Sequence, residues 1–259
     1  MTRLFKWLVF GAVAWAWVAS AQTPAAPSQP VTLVFAGDTT LDDDAGALIA
    51  QGGDPLADFA PLFAQADVRL ANLECVVATA GSAGRKNYTF RAHPRVLPVL
   101  KTHLDGVTLA NNHSGDFGRE AFAEMLGLLQ KARLAQAGGG LNLSQAHAPW
   151  IVERRGLRIA ILSYNEFLPR SFEAGHDAPG VAWSEDEQVV HDIRRARQVY
   201  RADLVIPFMH WGWENERVAN ARQRQLARLM IDAGANAVIG GHPHVTQDIE
   251  HYQGKPIVY

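Results

Sequence analysis

Five short apolar runs in this chain each lead into a residue able to ligate a metal ion, and that recurrence constrains the fold more than any other feature. Val31–Ala36 runs into Gly37-Asp38, Asp67–Leu73 into Glu74, and Gly106–Ala110 into Asn111-Asn112-His113. Asp203–Met209 delivers His210, and Ala237–Ile239 delivers Gly240-Gly241-His242-Pro243-His244. Short apolar, β-branched runs bounded by turn residues read as buried strands. Segments of helical spacing separate most of them: Phe59–Ala66, Arg95–His103, Phe117–Leu134, Ser184–Arg201 and Asn220–Ala233. Strands alternating with helices predict α/β architecture, in which a parallel-rich sheet brings its carboxyl ends to one edge.

Of the ten histidines, only His113, His210, His242 and His244 directly follow such runs. Gly240 and Gly241 are expected to turn the chain sharply as it leaves the sheet. Pro243 biases His242 towards an extended backbone, which would point His242 and His244 to the same side. Neutral imidazole is the commonest metal ligand near pH 7. Glu74 lies between apolar neighbours, and a glutamate is almost never buried unless paired or metal-bound. Each residue also has a structural reading: Asp38 as a turn, Asn111-Asn112 as an Asn-rich turn, His210 as an aromatic packed beside Trp211 and Trp213. Convergence favours a site. Nitrogen and carboxylate donors without thiolates suit Mn, Zn or Fe, as one or two ions. His113, beside Asn112, is placed to protonate a leaving group.

Local signals carry further expectations. Asp116 is expected to cap the helix that starts at Phe117, and Ser184 with Glu187 forms a capping box. Gly234 suits the C-cap of the helix before it. Pro207 marks a bulge, Gly138-Gly139-Gly140 a loop, and residues 168–182 an irregular lid. Trp150–Glu153 and Leu157–Ser163 read as a strand pair, and Lys86 and Arg91 as exposed basic side chains, with anion contact the alternative.

Arg3 and Lys6, the apolar run Leu8–Val18 and Ala19-Ser20-Ala21 form a cleavable signal-peptide pattern over residues 1–21. A Pro/Ala-rich tether covers 22–30, and the domain covers 31–259. The protein is thus expected to be exported, periplasmic or extracellular, with membrane contact only through the N-terminal segment if that is uncut. Cys75 is the only cysteine, so no intrachain disulfide forms. Cleavage removes two basic residues and no acid, moving the net charge from −2 to −4. That balance gives no reason to propose a nucleic-acid partner.

Asn72-Leu73-Glu74, Leu109-Ala110-Asn111-Asn112-His113, His210-Trp211-Gly212 with Glu214, and Gly241-His242-Pro243-His244-Val245 with Gln247 and Glu250 resemble the capsule-synthesis CapA family, associated with poly-γ-glutamate. The resemblance covers Val31 to Tyr259. That family looks like calcineurin-type metallophosphoesterases, which implies a four-layer αββα sandwich with metals at strand ends. It implies Asp38, Asn112, His210, His242 and His244 as ligands and His113 as catalytic acid, to which burial adds Glu74. Asn72, Asn111, Asp116 and Glu214 are expected to support the ligands or meet substrate. Thr40 stands where metallophosphoesterases place a histidine, and their bridging aspartate falls on Asn72. The chain stops in a strand-like run, Gly254–Tyr259, where the family continues, so truncation is expected. The expected function is an exported accessory protein of anionic-polymer or capsule synthesis, with that polymer or its synthesis machinery as partner. The alternatives are a secreted metal-dependent phosphoesterase and a non-catalytic binding module.

Overall fold

A computed structural model of the chain describes residues 30–168 and 170–259. The signal-peptide and tether expectations fall on residues 1–29, outside the described residues.

The first half of the chain builds a four-stranded parallel sheet. Its strands are β1 (Leu33–Thr39), β2 (Val68–Leu73), β5 (Gly106–Thr108) and β6 (Ala135–Ala137), in that spatial order. Between them come helices α1 (Asp43–Ala50), α2 (Ala60–Phe63), α3 (Leu97–His103) and α4 (Gly118–Lys131). A two-stranded parallel pair, β3 (Val76–Val77) with β4 (Arg91–Ala92), lies beyond the end of β2.

The second half builds a six-stranded sheet. After β7 (Gly139–Gly140) and α5 (Leu143–Ala146), the hairpin β8 (Trp150–Arg154) and β9 (Leu157–Asn165) begins it. The chain then runs through β10 (Gly180–Val181), α6 (Asp186–Gln198), β11 (Leu204–His210) and α7 (Ala221–Ala233). It ends with β12 (Val238–Gly241), β13 (Ile249–Tyr252) and β14 (Lys255–Val258), giving the order β13-β14-β12-β11-β9-β8. Strands β9, β11, β12 and β14 are parallel to their neighbours among themselves, while β8 and β13 are antiparallel edges.

Three apolar cores define the layers. Val68 and Leu70 of β2 meet Ile159, Ile161, Ile206 and Phe208 of the other sheet, so the sheets stack face to face. Leu100, Phe122, Met125 and Leu129 cover the outer face of the first sheet. Val189, Ile193, Leu226 and Met230 cover that of the second. The result is the expected αββα sandwich. Each fully buried aliphatic or aromatic side chain contributes roughly 1.5–3 kcal/mol, and burial on both faces explains why β2 and β9 read as nearly continuous apolar runs.

Several local expectations change. β1 does not stop at Gly37-Asp38 but continues to Thr39 with a register shift between Ala36 and Asp38, which sets Asp38 opposite Asn72. Such a bulge re-aims a side chain at the end of a strand. Gly240 and Gly241 are strand residues of β12, not a turn. Their missing side chains allow close approach: a Cβ on Gly240 would lie 2.6 Å from Trp211 Nε1 and 2.7 Å from the Tyr259 carbonyl carbon. Pro207 makes no bulge, since β11 stays in register with β9 from Leu204 to His210. Part of the 138–140 loop is β7, which pairs with β10 inside the supposed lid. Ser184 does not cap α6; its hydroxyl donates to Glu166. Asn220 with Gln223 instead forms the capping box of α7, and Gly234 (φ 118°) closes that helix as expected.

Candidate metal centre at the strand ends

The carboxyl ends of β1, β2, β5, β11 and β12 meet at one edge of the sandwich, and Asn72 is the joint between the two sheets. It is fully buried. Its amide nitrogen donates to Asp38 Oδ1 (2.8 Å) and faces His210 Nδ1 (3.2 Å). Its oxygen accepts from Thr108 Oγ1 (3.2 Å) and Asn111 Nδ2 (3.0 Å). An amide so fully engaged positions ligands rather than binding metal itself. Asn111 shapes the next turn: Nδ2 also donates to the Leu73 carbonyl, and Oδ1 accepts from the His113 amide.

His210 crosses the interface between sheets. Its Nε2 lies 2.7 Å from Asn112 Oδ1 and 3.4 Å from Glu74 Oε1, and its Nδ1 lies 3.7 Å from Asp38 Oδ1. His244 Nδ1 is 3.3 Å from Asp38 Oδ2. The rings of His210 and His242 are 4.6 Å apart, and those of His242 and His244 5.7 Å. Three sets of ligand atoms lie within 4.8 Å of one another: Glu74–His210–His242, Glu214–His242–His244 and Asp38–Glu74–His244.

The two histidines converge by a route other than extended backbone. His242 has φ 92° and His244 φ 55°. A non-glycine residue held there costs on the order of 1–3 kcal/mol and persists only when its surroundings over-determine it. The His242 amide donates to Asp38 Oδ2 at 2.9 Å, pinning the turn to the opposite sheet.

The donor set fits a divalent cation. His242 is fully buried, yet both its ring nitrogens lack a hydrogen-bond partner, as does Glu74 Oε1. Buried polar atoms are nearly always satisfied, so these orphans inside a cluster of ligand atoms are compatible with a divalent cation. Burial first, then Asp38, pushes the Glu74 carboxyl up to about 8. Burial pushes His210 down to about 4 and His242 down to about 3, so both imidazoles are held neutral, the state in which a ring nitrogen can ligate a metal.

His113 stands beside this cluster. Its Nδ1 is 2.7 Å from Asp116 Oδ2, and its ring packs 4.6 Å from Phe90. Asp116 is not a helix cap, because α4 begins without a side-chain cap. It is fully buried and accepts from His113, the Phe90 amide (2.8 Å) and Lys86 Nζ (2.5 Å). Lys86, exposed as expected, also donates to the Asn112 carbonyl (2.7 Å). Arg91 lies with its guanidinium over the Phe117 ring.

All the residues singled out by strand-end position, namely Asp38, Glu74, Asn112, His113, His210, His242 and His244, are therefore brought together, with Asn72, Asn111, Asp116 and Glu214 around them. Thr40 holds the backbone rather than an ion, its hydroxyl donating to the Glu74 carbonyl (3.3 Å). Sequence reading missed Phe167, whose ring lies 3.9 Å from that of His242 and meets Trp213 edge-on. Only its place two residues past β9 hinted at it.

A family model described as bacterial capsule synthesis protein PGA_cap matches residues 32–259. The chain belongs to that family. It is 31% identical over 260 residues to the PGA biosynthesis protein CapA of Bacillus subtilis, covering 95% of this chain and 67% of that one. It is 34% identical over 206 residues to a probable polyglutamine synthesis accessory protein of Mycobacterium tuberculosis, covering 74% of this chain and 54% of the relative. The capsule biosynthesis protein CapA of Bacillus anthracis is 30% identical over 166 residues, with 63% of this chain and 40% of that one covered. This chain thus spans between two fifths and two thirds of these relatives. A hypothetical protein from Thermus thermophilus shares the fold at TM-score 0.53 and 18% identity, over 88% of this chain and 75% of that one. The NAD nucleotidase NadN of Haemophilus influenzae does so at 0.50 and 14%, over 88% of this chain and 46% of that one. The α/β fold is of the metallo-dependent phosphatase type.

Proposed function

We propose that this CapA-family chain is an exported accessory protein of capsule or poly-γ-glutamate synthesis, and that its strand-end cluster binds one or two divalent cations (Mn, Zn or Fe) and acts on an anionic polymer. The observation that carries the metal reading is that His242, with both ring nitrogens unpartnered, shares a buried donor set with Glu74, whose Oε1 is also unpartnered. The names of the relatives support the polymer and an extracytoplasmic or membrane-associated role; on this reading any membrane contact is through the N-terminal segment, if that is uncut. Asp38, Glu74, Asn112, His210, His242 and His244 would hold the ion. A bound divalent cation supplies Lewis acidity and an activated water. Asn72 and Asn111 keep the ligands from two sheets in register. Asp116 accepts the Nδ1 proton of His113, which orients the ring and stabilises the imidazolium, so that Nε2 carries the proton given to the leaving atom. Lys86 fixes Asp116 and the Asn112 backbone together.

The test is deletion of the gene followed by measurement of cell-surface polymer, with complementation by wild type and by His242→Ala. Polymer lost on deletion and restored only by wild type supports the reading; unchanged polymer on deletion overturns it. The His113–Asp116 couple also favours a plain phosphoesterase. Turnover of an aryl phosphodiester with added manganese, abolished by His113→Ala in a protein whose deletion spares the polymer, would establish that alternative. Full complementation by His242→Ala would instead leave a non-catalytic binding module.

A further inference from the structure

A second cluster of histidines lies away from the strand ends, in a cavity of about 400 Å³ between α5 and α6. His147, which follows α5, His191 of α6 and His176 of the intervening segment all line it, with Asp177 and Gln188 beside them. His147 is only 5% exposed. Its Nδ1 is 2.7 Å from Asp192 Oδ2, an oxygen that also accepts from the Tyr164 hydroxyl (3.0 Å). Gln188 Nε2 donates to Asp192 Oδ1 (2.8 Å). Asp192 is 3% exposed, and both of its carboxylate oxygens accept from these three donors. In this arrangement Nδ1 carries the proton, and Nε2 is a lone pair with no protein partner among the described residues. His176 repeats the pattern at the rim: its Nδ1 is 2.7 Å from Asp177 Oδ2, which again leaves Nε2 free.

A carboxylate behind Nδ1 is the outer-shell arrangement of metal-binding histidines, because it fixes the tautomer and raises the basicity of Nε2. We propose that this cavity is a second, nitrogen-rich metal site, in which Nε2 of His147, Nε2 of His176 and the imidazole of His191 bind one borderline divalent transition-metal ion. Imidazole donors favour zinc, cobalt, nickel or copper over magnesium or calcium. The three nitrogens are not gathered beforehand. Among the described residues, groups of three or more donor residues within 4.8 Å of one another occur only at the strand ends. His176 lies at the surface with its side chain 95% exposed, and His191 is exposed on α6. Exposed side chains change rotamer readily, so on this proposal the ion draws both onto the fixed His147 and ties the 176–177 segment to both helices.

The test is cobalt(II) titration of the full chain, read by visible absorption and calorimetry, in wild type and in His242→Ala to separate the strand-end site. The site predicts one ion that persists in His242→Ala and binds at least tenfold more weakly when His191→Ala or His147→Gln is added. His191→Ala, at an exposed position, keeps the test valid should His147→Gln fail to fold. Cobalt binding in the His242→Ala background that is unchanged by His191→Ala overturns the proposal, as does the absence of any binding there. Failure of the strand-end reading would show instead as wild type and His242→Ala binding cobalt identically.

Discussion

His210 Nε2 lies 2.7 Å from Asn112 Oδ1, and the two residues belong to different sheets. One ends β11 in the six-stranded sheet, and the other follows β5 in the four-stranded sheet. The site therefore exists only when the two sheets are stacked, and the aliphatic core between them is part of the site's construction.

Removing the central imidazole tests that centre most directly. His242→Ala is expected to weaken divalent-metal binding at the strand ends by 100-fold or more, measured by calorimetry and metal content. It should cost the chelated protein little stability, since the lost nitrogens have no partner there.

Asn72 gives the opposite outcome. Asn72→Asp places a carboxylate where the amide donates to Asp38 at 2.8 Å, in a fully buried position. A fully buried carboxylate against the half-buried Asp38 destabilises the chelated protein by about 1–3 kcal/mol, a drop in Tm of several degrees. Added manganese should restore the Tm and bind more tightly than to wild type, because the new carboxylate faces the cation. No recovery with metal would refute an ion beside Asp38.

Packing at β12 predicts a purely structural loss. Gly240→Ala sets a methyl 2.6 Å from Trp211 Nε1 and 2.7 Å from the Tyr259 backbone. Overpacking of this kind costs about 1–3 kcal/mol, read from the midpoint of denaturant unfolding.

The pH dependence of the chelated protein follows from three shifted groups. Glu74, raised from 4.5 to about 8, stays protonated in the folded chain while the unfolded chain ionises, so its contribution is lost as pH rises through about 8. His210, lowered from 6.5 to about 4, and His242, lowered to about 3, stay neutral when folded while the unfolded chain takes up protons. Their contribution is lost as pH falls below 6.5. Stability should peak near pH 6.5 and fall on either side, at about 1.4 kcal/mol per pH unit per proton. Glu74→Gln should abolish the alkaline decline, and saturating metal should do the same. An unchanged alkaline limb in that variant, measured by urea unfolding at pH 6.5 and 8, would remove Glu74 as its cause.

Much of this was legible in the order of residues. The strand ends carrying Asp38, Glu74, Asn112, His210 and His242 were readable because parallel sheets bury both faces, which leaves apolar runs that stop abruptly at polar groups. The capping of α7 and its stop at Gly234 were likewise local. The errors at Ser184 and Asp116 share one cause. Both had the right residue type for a cap, but a tertiary partner claimed the side chain: Glu166 for the serine, His113 and Lys86 for the aspartate. Lys86 and Phe167 were unreadable for the same reason, since their partners lie 26 and 75 residues away in sequence.

Sequence alone determined the alternation of strands and helices and the edge at which ligands gather, because burial periodicity and strand-end chemistry are written in consecutive residues. The layer order was implied by the family resemblance that the strand-end motifs carry. Tertiary structure decided how His242 and His244 reach one point, through left-handed backbone pinned by Asp38 rather than through an extended chain. It also decided that Asn72 serves as the joint and not as a ligand. Those outcomes depend on which groups remain unsatisfied once two sheets have closed on each other, and desolvation of that kind has no local signature.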